Sequence, residues 1–210
     1  MILRTKLFGH NYEFKSLREV MAKANEEKSG DKLAGIAAES AEERVAAKVV
    51  LSHITLEDLR NNPAVPYEED EVTRIIQDDV NEAIYNEIKS WTVAQFREWI
   101  LDIQTTGSMI QRISRGITSE MVAAVCKLMS NLDLIYAASK IRIIAHCNTT
   151  IGLPGTFSSR LQPNHTTDNP KGIMAPVMEG FSDGCGDAKP APKTHRTRRG
   201  NREEERVKDG

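Results

Sequence analysis

The sequence predicts a mainly α-helical region that runs into one strand-and-helix unit and ends in a polar tail. Three observations carry that expectation. Helix-start signals of the form Ser/Thr-x-x-Glu/Asp/Gln recur between Ser16 and Gln95, each ahead of apolar residues at three- and four-residue steps. After Ile141 this pattern gives way to β-branched, glycine and proline residues. From Lys189 onward apolar residues almost disappear.

Residues 2–14 read as two short strands, since ILRTKLF and YEF partly alternate and Gly9-His10-Asn11 between them tolerate positive φ. Ser16-Leu-Arg-Glu19 and Ser40-Ala-Glu-Glu43 are capping boxes, the second opening a helix through ERVAAKVVLS. Thr55 with Asp58 is a weaker version of the device, and Asn61-Asn62-Pro63 stops the helix it starts. Pro66 begins the longest amphipathic segment, in which Val72, Ile75, Ile76, Val80, Ala83, Ile84 and Ile88 line one face, and that face requires a packing partner. Thr92-Val-Ala-Gln95 caps a helix through FREWIL, Thr118-Ser-Glu-Met opens one through VAAVCKLM, and another follows through LDLIYAASK. Residues 16–140 therefore read as about seven helices, and 1–140 as one helical region with an N-terminal hairpin.

A second region, 141–188, holds an apolar run, a Leu-Pro-Gly turn and TFSSRLQ, an extended segment of five to seven residues. A helix through KGIMAPVMEG follows, with Pro176 awkward inside it. A strand followed by a crossover helix is the start of a βαβ pattern. The remaining stretch, 189–210, cannot bury enough surface to offset its ordering entropy and reads as a disordered polar tail.

The net charge of −2 gives no long-range steering toward nucleic acid, and the basic Arg196, Arg198 and Arg199 are opposed by Glu203-Glu204-Glu205. No segment approaches the roughly 20 apolar residues that cross a bilayer, and the start has no secretory pattern. The expected location is the cytoplasm, with no membrane and no nucleic-acid partner. Cys126, Cys147 and Cys185 form no C-x-x-C pair and read as free thiols, with Cys126 in a helix core. The glycosylation-like triplets at Asn148 and Asn164 are then coincidental.

Candidate chemistry is sparse. Gln77-Asp78-Asp79 with Glu82 places acids on one helix face, a spacing that suits a hard cation or simply a solvated face. The histidines at 10, 53, 146, 165 and 195 form no ligand-like or triad-like set, and no Walker loop, dinucleotide fingerprint or nucleophile elbow is present. What remains is Arg160 and Gln162. In an extended segment alternate residues point the same way, so a guanidinium and an amide project side by side, able to donate to a substrate oxygen and accept from a substrate ammonium. The same pair also reads as the polar face of an edge strand.

Four segments carry a family resemblance: SGDKLAGIAAESAEERVAAKVVLS, LEDLRNNPAVPYEEDEVTRIIQDDVNE, GITSEMVAAVCKLMSNLDLIYAASK and NTTIGLPGTFSSRLQPN. In order and spacing they resemble the large subunit of ethanolamine ammonia-lyase, over roughly residues 1–188. The resemblance implies a mainly α N-terminal region followed by the first β/α unit of a (β/α)8 TIM barrel, with TFSSRLQ as first strand. It also implies conversion of ethanolamine to acetaldehyde and ammonia by an adenosylcobalamin-dependent radical mechanism. Arg160 and Gln162 are then substrate ligands at the C-terminal end of the strand, where barrel enzymes place their chemistry. Arg160 orients the hydroxyl oxygen, the Gln162 carbonyl oxygen holds the amino group, and neither is a general base. Implied partners are a small subunit and further large subunits in a homo-oligomer, and the implied location extends to a bacterial microcompartment.

The departures from the family pattern are equally specific. EGFSDGCGDA, Glu179 to Ala188, matches, but a second apolar strand ending in Asn-Pro is expected where Lys193-Thr194 stand in the polar tail. The other substrate ligands and most cobalamin contacts belong to a longer C-terminal portion, and one strand cannot close an eight-strand barrel. The sequence therefore suggests a truncated and inactive form with an incomplete barrel, produced by a reading-frame change or a shortened gene near Ala188. A non-catalytic helical subunit-interaction module is the alternative, and a nucleic-acid binder acting through the tail ranks last.

Overall fold

A hairpin and ten α-helices make up the first of two units in the computed structural model, Met1–Ile141, and the second begins at Arg142. The structure describes residues 1–146, 150–155, 161–167, 169–183 and 185. The expected tail, 189–210, lies outside the described residues.

β1 (Arg4–Leu7) pairs antiparallel with β2 (His10–Glu13) from Arg4↔Glu13 to Leu7↔His10. The turn falls on Phe8-Gly9, both at positive φ, one position earlier than Gly9-His10-Asn11. The helices are α1 (Leu17–Lys23), α2 (Ser29–Leu33), α3 (Ala41–His53), α4 (Leu56–Asn61), α5 (Glu71–Asp78) and α6 (Glu82–Ile88). They continue as α7 (Val93–Leu101), α8 (Gly107–Ile113), a 3-10 turn over Ser114–Gly116, α9 (Ser119–Lys127) and α10 (Asn131–Lys140).

The capping signals act at the residues that the sequence names. The side chains of Ser16, Ser40, Thr55 and Thr92 each accept from the N–H three residues on, satisfying a donor that the helix itself leaves unpaired. Thr55 and Thr92 complete the reciprocal box. At the other two the glutamate reaches one residue further back, Glu19 to the Lys15 N–H at 2.7 Å and Glu43 to the Glu39 N–H at 2.7 Å.

Those two threonines also join helix starts to one another. Thr55 and Thr92 form an antiparallel bridge, with the Leu56 N–H on the Trp91 carbonyl and the Val93 N–H on the Ile54 carbonyl, both at 2.9 Å. The bridge lines up the N-terminal turns of α4 and α7 over the core. That core is built from Ala46, Ala47, Val50 and Leu51 of α3, Leu17 and Val20 of α1, Phe96 of α7, and Met121 and Val125 of α9, all essentially buried.

Three expectations change. Helices outnumber the expected seven, because α2 and α8 carry weak signals and the long amphipathic segment is two helices. Asn81 caps α6 by accepting from the Ile84 N–H, and its own N–H donates to the Arg115 carbonyl at 2.8 Å, so the chain turns between Asp79 and Asn81 while its apolar period continues across the break. Cys126 is exposed rather than core. The inward positions of α9 are Met121, Ala124 and Val125, and the next residue lies a further 100° around the helix.

In α10 the usual polarity is inverted. Asp133 pairs with Arg97 at 2.7 Å, Ala137 is buried and Lys140 reaches backbone carbonyls of α7, while Leu132 and Ile135 are exposed.

In the second unit β3 (Ala145–His146) pairs antiparallel with β4 (Thr150–Ile151), and α11 spans Pro170–Ser182 with Pro176 inside it. Of the expected strand TFSSRLQ, residues 156–160 lie outside the described residues, and Leu161 makes a single β-bridge. The described architecture is thus mainly helical with small antiparallel sheets.

Candidate functional site

Gln162 lies in the second unit, between Leu161 and a buried Pro163, and is exposed. Arg160, its expected companion, lies outside the described residues.

What positions Gln162 is the contact of its segment with α11. The Leu161 side chain lies over Gly180: a methyl group on Gly180 would fall 2.4 Å from Leu161 Cδ2 and 2.9 Å from Cδ1. Four residues later the His165 ring lies over Gly172, where a methyl group would fall 2.3 Å from Cδ2 and 2.5 Å from Nε2. Four extended residues cover about 13 Å and eight helical residues about 12 Å, so two contacts at these intervals define a segment running antiparallel to α11. Leu161 faces the helix. Gln162, the next residue, is exposed.

The turn between segment and helix is tied locally. The Thr167 N–H donates to His165 Nδ1 at 3.3 Å and the Thr167 hydroxyl lies 3.0 Å from the same nitrogen. The Asn169 side chain accepts from the Lys171 and Gly172 N–H groups, and Pro170 occupies the first turn, where it forfeits no hydrogen bond. Pro176 removes the donor for the Gly172 carbonyl four residues back.

Two of the acids on the α5 and α6 run are engaged within the protein. Tyr67 donates its hydroxyl to Asp78 at 3.0 Å, and Arg60 holds Glu82 through two nitrogens at 3.0 and 2.5 Å. Arg60 Nε also donates to Gln77 Oε1 at 3.1 Å, and the guanidinium lies 4.2 Å from the centre of the Tyr85 ring. The hydrogen bond from Arg60 holds the Glu82 carboxyl below the usual range, while burial pushes the Tyr85 phenol up. Arg60 thus ties α4, α5 and α6 together. Arg60 carries no local sequence signal for this role, because its partners sit 17 and 22 residues away.

Among the described residues no three of His, Cys, Asp and Glu converge to hold a metal. No helix among them is long and apolar enough to cross a membrane.

Fold and site together define a mainly helical chain, with an amide side chain exposed on a segment that a helix backs. The family model for the ethanolamine ammonia lyase large subunit (EutB) matches residues 12–191. The ethanolamine ammonia-lyase large subunits of Escherichia coli K12 and of Salmonella typhimurium LT2 are each 57% identical to the chain over 188 residues, 90% of its length. The chain belongs to the ethanolamine ammonia lyase large subunit family. It spans 42% of the length of these relatives.

Proposed function

We propose that the chain is the substrate-contacting N-terminal portion of an ethanolamine ammonia-lyase large subunit, a carbon–nitrogen lyase of ethanolamine. The observation that supports this reading is the contact of Leu161 with Gly180 of α11, since in an extended segment the next residue, the exposed Gln162, faces away from the helix. In a (β/α)8 barrel the face of a strand away from its helix is the interior, and its C-terminal end carries the chemistry. A TFSSRLQ strand of that kind aims Gln162 at the reacting molecule, and Arg160 with it by the two-residue period.

The roles follow from donor and acceptor inventory. A guanidinium only donates, which suits the substrate hydroxyl oxygen; the amide carbonyl oxygen of Gln162 accepts from the substrate ammonium. Neither gains or loses a proton during the reaction. Their contribution is placement, which converts loosely bound substrate into a reactive geometry. Adenosylcobalamin supplies the radical when bound, and the small subunit and further copies of the large subunit are the implied partners. The setting is the cytoplasm or a bacterial microcompartment.

These 210 residues alone hold two ligands of the set, so the isolated chain turns over no ethanolamine. An assay of acetaldehyde release with adenosylcobalamin and the small subunit tests this, and measurable turnover would refute it. The placement itself is tested in a full-length relative carrying the Gln162→Ala change at the matching position. Loss of at least tenfold in kcat/KM with an unchanged melting temperature is expected; wild-type kinetics would refute the ligand role.

A second reading, a non-catalytic interaction module, is favoured by the inverted α10, whose Leu132 and Ile135 are exposed. Co-purification of the chain with an intact large subunit is its test, and loss of that association in Ile135→Asp is the expected result.

A further inference from the structure

Lys127, the last residue of α9, is half-buried and makes no ion pair among the described residues. Its ammonium donates to the neutral Oδ1 of Asn25, where the chain leaves α1. Other lysines sit against carboxylates: Lys23 against Glu43, Lys32 against Glu27, Lys48 against Glu26 and Lys89 against Glu57. Two further cations gather on the stretch that Lys127 touches. Lys48 of α3 holds Glu26, the residue after Asn25, at 2.6 Å, and the exposed Lys28 stands two positions further on with no ion pair among the described residues. Burial first, and then the charges of Lys28 and Lys48, hold the Lys127 amine below the usual lysine range. The Asp31 carboxylate opposes this shift, and one of its oxygens is buried without a hydrogen-bond partner. A lysine so placed holds more free amine at neutral pH, and the free amine is the nucleophile.

We propose that Lys127 is an acylation site, whose donor is a small acyl phosphate drawn in by the charges of Lys28 and Lys48. The Lys127 nitrogen forms a bond to the acyl carbon, and the bond from that carbon to the bridging phosphate oxygen breaks. One amine proton goes to the departing phosphate, so the products are a neutral amide and inorganic phosphate. Cations beside a nucleophile raise the local concentration of an anionic donor, whereas a neutral ester gains nothing from them. The same two lysines therefore serve twice, by favouring the free amine and by attracting the leaving group. The inference does not depend on the catalytic reading, because all its residues lie in the first unit and none is a substrate ligand.

The test adds acetyl phosphate to the full chain and follows acetylation at each lysine by peptide mass spectrometry. Lys127 should react roughly tenfold faster than the exposed Lys6 and Lys15, and unfolding in urea should abolish that lead. K28Q should slow the reaction at Lys127 more with acetyl phosphate than with p-nitrophenyl acetate, by roughly threefold. The neutral ester loses only the effect on the amine, while the anionic donor also loses its attraction. K28R, which keeps the charge, should keep the wild-type rate, and circular dichroism that matches the wild type shows that both changes leave the fold intact. A Lys127 that reacts no faster than Lys6 and Lys15, or a lead that survives in urea, overturns the proposal. So does K28Q with the same effect on both donors.

Discussion

Lys140 donates its ammonium to the carbonyl oxygen of Ile100 at 2.9 Å, and to that of Asp102 at 2.6 Å. Helix α7 ends at Leu101, so the last residue of α10 supplies the donors that the C-terminal turn of α7 lacks. The cation also faces the negative end of the helix dipole. K140M keeps the length of the stem and removes the donors. It should lower the unfolding free energy by about 1–2 kcal/mol, read from urea midpoints. No change would mean that water satisfies those carbonyls equally well.

Gly116 marks a close approach between the 3-10 turn and α6. A methyl group there would fall 2.7 Å from Ile84 Cγ2 and 2.8 Å from the Tyr85 backbone nitrogen, and the backbone atom cannot step aside as a side-chain end can. G116A should cost about 1–3 kcal/mol as an overpacking change. Gly30 provides the contrast, since it lies in α2 with nothing within 4 Å of a new methyl group. G30A should be neutral or stabilising by about 0.5 kcal/mol. Equal effects at the two positions would show that space does not decide the outcome.

Asp133 couples stability to acid. The Ser130 backbone N–H and then Arg97 hold its carboxyl below the ordinary value of 3.8. A depressed carboxyl contributes stability that is present above the unfolded-state value and lost as pH falls through the folded one. D133N should therefore be less stable than wild type at neutral pH and converge with it in acid, as pH falls through the depressed value, in urea titrations at a neutral and at an acidic pH. The asparagine would also leave Arg97, whose Nε is already buried without a partner, with a weaker one. A constant difference at all pH values would assign the effect to packing rather than charge.

How much of this could be read from the sequence depends on the range of the interaction that decides each feature. Helix starts at Ser16, Ser40, Thr55 and Thr92 were legible because a cap is settled within four residues. The break at Asn81 was not, since the apolar period runs through it and the Arg115 carbonyl that turns the chain lies 34 positions on. Cys126 was misplaced because a run of apolar residues shows that a helix is buried on one side without showing which residue closes that side. At the candidate site, chemistry alone left Arg160 and Gln162 open between ligand pair and polar edge. Gly172 and Gly180, which seat the segment on α11, gave no local signal, because a glycine's value there lies in what touches it from another segment.

The contact between Leu161 and Gly180 makes that seating testable. Glycine in the last turn of α11 has more conformational freedom to lose than alanine would, so its presence is explained if the missing side chain makes room. Leu161 fills that room with three carbons within 3.1 Å of where a methyl group would stand. G180V should force the segment off α11, seen as faster hydrogen exchange at residues 161–167 and a loss of about 1–3 kcal/mol. L161A alone should also destabilise, by opening a gap, yet L161A/G180V should recover part of the loss, because the new side chain occupies the vacated space. That non-additivity is what contact between two residues produces. Strict additivity would place Leu161 elsewhere, and with it would go the reason for Gln162 to face away from the helix.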